Sequence, residues 1–216
     1  MADIESLTTH EALRSLKNRQ LLLRAIPLND LNPDLPPGFA PEQVIYREIA
    51  PDLTRPLGLR YRILDEATPI DDAFPGIEQF AMNAAAGHYH QNRPILAEDN
   101  PLSITVDKDS YVILHLAREY ADDWQFCAGA AGVVLGPAAG TTNPWSFYGD
   151  LKYVKAGEQP SDLPMAGCQL VYFAARFVTG TKPNPYRQKF LFLVDIEEET
   201  TVHVDPDIRY PGNNQP

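Results

Sequence analysis

Residues 187–212 read RQKFLFLVDIEEETTVHVDPDIRYPG, and the fold is read outward from this stretch. Phe190 to Val194 are consecutive apolar residues with charge on either side. The run is too short for a free-standing helix and rich in aromatic and β-branched types, which predicts a strand buried on both faces. Beyond the acidic turn Glu197-Glu198-Glu199, Thr201, His203 and Asp205 alternate with Val202 and Val204. That is the period of a strand with one dry and one wet face. The expectation is a closing hairpin whose first strand is the innermost ribbon of the molecule.

Upstream, Leu102 to Val106 and Tyr111 to Leu116 flank Asp107-Lys108-Asp109-Ser110, a pattern that predicts a hairpin. Trp124 to Leu135 is apolar but loaded with alanine and glycine, so it reads either as a bulged strand or as two short strands meeting at Gly129 to Gly132. Phe147 to Val154 alternates, and Leu170 to Phe177 reads as a long strand. Together these segments predict a mainly β body over residues 101–216: an antiparallel β-sandwich, Ig-like or jelly-roll-like.

Residues 1–100 read differently. Thr8 and Glu11 have the spacing of a capping box, and Leu13, Leu16, Leu23 and Ile26 fall near one face of an N-terminal helix that Pro27 ends. Such a helix docks either on its own sheet or on a neighbouring protomer. From Pro27 to Pro69 eight prolines interrupt the chain, so Val44 to Ile49 is expected to form only a short edge strand. Because Leu28, Leu31, Leu35, Phe39, Val44, Ile45 and Leu53 lie between the prolines, the expectation is an ordered belt wrapped round the body. Leu57 to Leu64 alternates as a half-buried strand, and Phe74 to Ala86 reads as a short helix opened by Pro75 and closed at Gly87.

With 216 residues, 44% of them apolar, the chain can build a core without staples. Cys127 and Cys168 make no disulfide framework; they read as buried thiols or as a bridge between neighbouring strands. Lysine and arginine number 18 against 29 acidic residues, a formal charge of −11 with no basic cluster. This argues against nucleic acid and against an anionic membrane surface as partners. The start MADIESLTTHEAL lacks the basic region of a secretory signal, and no apolar run reaches the length of a membrane span. A cytoplasmic protein is expected.

The closing pattern, FLFLVDI, an acidic turn, then Asp205-Pro206-Asp207-Ile208-Arg209-Tyr210-Pro211-Gly212, resembles the end of a group of uncharacterised small bacterial all-β proteins that finish in Asp-Pro-Asp-Ile-x-x-Pro-Gly. Asp122-Asp123-Trp124 and Phe147-Tyr148 agree with it. The resemblance covers the C-terminal half and implies a bacterial β-sandwich, with no activity attached.

Three constellations carry chemistry on paper. His88 and His90, two residues apart, would project to one face of a strand and could share a transition metal, with His115 or His203 as a distant ligand. Pro94 stands where a cupin-type site wants its glutamate, and the plainer reading is a polar loop. Asp205 and Asp207, with Asp195 across the hairpin, offer oxygens to calcium; alternatively Asp205 caps the turn made by Pro206. Trp124, Trp145, Phe147 and Tyr148 could form a platform on which a sugar stacks, or could belong to the core. Gly129 to Gly140 lacks the lysine of a phosphate loop, and no Gly-x-Ser-x-Gly elbow exists. The leading expectation is therefore a non-enzymatic structural protein, without cofactor, that self-associates into a homo-oligomer or array. The alternatives are a carbohydrate- or calcium-binding module using Trp145, Tyr148 and Trp124 or Asp205 and Asp207, and a metalloenzyme using His88 and His90.

Overall fold

The computed structural model describes residues 34–52, 58–64, 67–87, 95–98, 104–117, 124–126, 128, 132–135, 148–177, 186–196, 200–204 and 207–210. Within them the strands are β1 (Gln43–Asp52), β2 (Gly58–Leu64), β3 (Thr68–Pro69), β4 (Ile95–Glu98), β5 (Ile104–Thr105), β6 (Ser110–Leu116), β7 (Trp124–Phe126), β8 (Val133–Leu135), β9 (Tyr148–Val154), β10 (Leu170–Ala175), β11 (Tyr186–Ile196), β12 (Thr200–Val204) and β13 (Asp207–Tyr210). The single helix among the described residues, α1, spans Ile77–Ala85. The chain is thus mainly β. The helix expected near residues 8–26 lies outside the described residues.

The closing hairpin forms as expected. Phe192 faces Val204 on β12 and Lys189 faces Asp207 on β13, three residues further along each strand, so β12 and β13 pair with β11 in the same register. On its other side β11 pairs with both β7 and β8. The alanine- and glycine-rich segment is therefore two short strands, and Leu193 N–H donates to the Gly132 carbonyl at 2.7 Å between them. Phe192 and Val194 point into the core, while Leu193, facing the other way, is equally buried.

The first sheet runs β4-β2-β1-β6-β10-β9, with β3 also on β1. Two pairs depart from the antiparallel expectation: β1 lies parallel to β6, and β5 parallel to β13. Parallel neighbours need a long crossover, and here the crossover from β1 to β6 carries α1 across the sheet. The predicted hairpin over 102–116 does not form. Its first strand, β5, joins the β11 sheet and its second, β6, the β1 sheet, so Asp107 to Asp109 is a passage between layers.

The proline-rich belt is corrected as well. No proline falls between Val44 and Ala50, and β1 extends over Gln43–Asp52 in the middle of its sheet rather than at an edge. A division at residue 100 consequently cuts through one hydrogen-bonded sheet, because β1 and β2 precede it and β6, β9 and β10 follow it.

Two apolar clusters define the layers. One lies between the sheets and joins Ile49, Leu114, Val171 and Phe173 of the first to Ile104, Phe126, Val133 and Phe192 of the second. The other lies between the opposite face of the first sheet and α1, joining Val44, Tyr46, Ile113, Leu170 and Tyr172 to Phe80, Ala81 and Ala84. Strands β6 and β10 therefore sit between two covered faces, and every β10 residue is buried. Each fully buried large apolar side chain there contributes about 1.5–3 kcal/mol; in β11, Phe192, Leu193 and Val194 are buried as well. Polar ties also cross between the sheets. Val133 N–H donates to the Tyr153 hydroxyl at 3.1 Å, and Phe126 N–H to the Cys168 carbonyl at 2.8 Å.

Candidate functional site

The face of the first sheet under α1 is where polar side chains collect. The helix begins where Pro75 and Gly76 break the chain: Gly76 holds φ 90°, a left-handed conformation that a side chain would strain. It ends at Gly87, φ 81°, whose N–H donates to the Ala84 carbonyl at 2.9 Å. Ala81, Ala84 and Ala85 on its inner side are all buried, and their small size lets the helix lie close to the sheet. It covers the middle of the face. Polar groups remain on either side of it.

On the β1 side, the Tyr46 hydroxyl and His115 Nδ1 form a hydrogen bond, with the two rings edge to face at 5.9 Å. Glu48 lies in register beside His115 on the parallel strands. Relative exposures are 3% for Tyr46, 5% for Glu48 and 0% for His115. This cluster is enclosed, and its members serve to hold β1 and β6 in register.

On the β9 side the groups meet solvent. Lys152, in register with Tyr172, places its Nζ 2.6 Å from Asp162 Oδ1 and 3.4 Å from Asp150 Oδ1. Asp162 arrives there because residues 155–167 fold back on β9, where Ser161 and Tyr153 exchange backbone hydrogen bonds of 2.8 and 2.9 Å. Asp150 has φ 52° and is the one non-glycine residue with positive φ among the described residues. It sits where the β9–β10 register shifts between Tyr172 and Ala174. A bulge of this kind redirects a side chain, and aspartate tolerates the left-handed region better than most residues. The Tyr111 ring stands edge to face against both Phe39, at 5.2 Å, and Tyr172, at 6.1 Å.

Electrostatics ties these groups together. Burial pushes the Tyr172 phenol well above its ordinary range, and the charges of Asp150, Glu78 and Asp162 push it the same way. Burial, then Asp150 and Glu78, raise Tyr111 likewise. For Lys152 burial acts downward, but the hydrogen bond to Asp162 and the charge of Asp150 outweigh it and hold the ammonium above its usual value. Both phenols are hydrogen-bond donors at neutral pH, and the lysine stays charged.

The residues singled out from sequence lie elsewhere. Trp124 is 3% exposed and its indole N–H donates to the Ala117 carbonyl at 3.3 Å; Tyr148 is 0% exposed and packs on Phe173. These two rings belong to the core between the sheets, so a stacking platform at the surface cannot be built from them. Trp145, His88, His90, Asp205 and Cys127 lie outside the described residues. Asp207 is on β13, opposite Lys189. Cys168 is a free, buried thiol pushed up to about 12 chiefly by burial. Among the described residues no group of three His, Cys, Asp or Glu side chains is placed to hold a metal ion. No helix there is long and apolar enough to cross a membrane. A scan against protein-family models finds no match, and neither does a search of curated proteins.

Tyr111, Tyr172, Asp150, Lys152, Glu78 and Asp162 were not singled out from sequence. The available signal was the Asp150-x-Lys152 alternation on a strand next to one bearing Tyr172. It becomes a site only when the sheet order sets β9, β10 and β6 side by side and α1 brings in Glu78.

Proposed function

We propose that this chain is a non-enzymatic binding protein, a two-sheet sandwich of mixed strand direction whose ligand site is the corner between the first turn of α1 and β9. The observation that carries this reading is the Tyr172 hydroxyl. The side chain is 1% exposed, and its hydroxyl has no hydrogen-bond partner among the described residues. The ring is held by its packing, while the hydroxyl at its tip is not among the enclosed unbonded polar atoms and so reaches the open side of the corner. There it can bond to water or to an occupant, beside Asp150 at a strained backbone position of the kind that concentrates at functional sites. The titration directions favour binding over catalysis, since both phenols move away from neutrality and the lysine does too, whereas a general acid or base is tuned toward it.

Tyr172→Phe tests the reading. Without ligand the variant is expected to unfold within about 0.5 kcal/mol of the parent, because no protein hydrogen bond is lost. A loss of about 1 kcal/mol or more in urea would show that the hydroxyl already has a protein partner, and the site would be withdrawn. Self-association is the second reading, supported by the exposure of Leu35 at 45% and Leu163 at 49%. Light scattering at high micromolar concentration decides it, and a monomer removes it.

A further inference from the structure

We draw no further inference here: the strongest candidate, the side-chain cluster of Asp150, Lys152 and Asp162 along β9, belongs to the site already described, and nothing in the structure at that corner shows what it would hold.

Discussion

Asp109 shows how much one side chain of ordinary appearance can hold. In sequence it is part of a polar turn. In the fold its Oδ2 accepts the Ala40 N–H at 2.8 Å, its Oδ1 the Phe177 N–H at 2.7 Å, and its carbonyl the Glu42 N–H at 2.8 Å. The segment before β1 and the segment after β10 are thereby tied to one residue. Because both carboxylate bonds are charge-assisted, Asp109→Ala is expected to lower unfolding stability by about 2–3 kcal/mol in urea. Asp109→Asn, which keeps one acceptor, should lose roughly half of that. Tyr46→Phe is expected to cost about 1–3 kcal/mol, since it withdraws the hydroxyl bonded to the buried His115. The contrast with Tyr172→Phe is informative, for of two tyrosines on one sheet face only Tyr46 should lose stability on the same substitution.

The elements differ in how well local pattern announced them. Helix α1 was legible because its signals are local: Pro75 and Gly76 start it and Gly87 stops it. The hairpin of β11 with β12 and β13 was legible for the same reason, whereas the segment of β7 and β8 left a bulged strand and two short strands both open until the pairing with β11 was set. Strand β1 was not, because prolines on both sides suggested an edge. Its central position depends on β6, a partner more than sixty residues away. The buried alanines of α1 lead to a prediction. Ala84→Leu forces a larger side chain between helix and sheet and should destabilise by about 1–3 kcal/mol, read from the urea midpoint. Gly76→Ala meets nothing within 4 Å, so its cost is that of the positive φ alone, about 1 kcal/mol.

At the scale of the whole molecule, the raised groups all act in one direction. The thiol of Cys168 moves from 9.0 to about 12, and Tyr111 and Tyr172 move up from 10.0. Below about pH 8 folded and unfolded chains hold these protons alike, and they leave stability unaffected. Above it the unfolded chain releases protons that the folded chain keeps, so stability falls as pH rises through the range from about 8 upward. Urea midpoints measured from pH 7 to 11 should be flat and then decline. A midpoint that rises above pH 9 would contradict the burial of these groups. Hydrogen exchange should be slowest in β6 and β10, which are covered on both faces.

Apolar runs, glycines and prolines by themselves determined that this chain is mainly β, where α1 begins and ends, and that the last segment closes as a hairpin. Each of these follows from neighbours in sequence, through side-chain period and backbone freedom. The tertiary structure alone decided the parallel pairing of β1 with β6, the passage of Asp107 to Asp109 between layers, and the meeting of Tyr111, Tyr172, Asp150 and Lys152 with Glu78. Strand order depends on non-local hydrogen bonds that no short pattern encodes. A site assembled from three strands, a helix end and a folded-back segment exists only once that order is set.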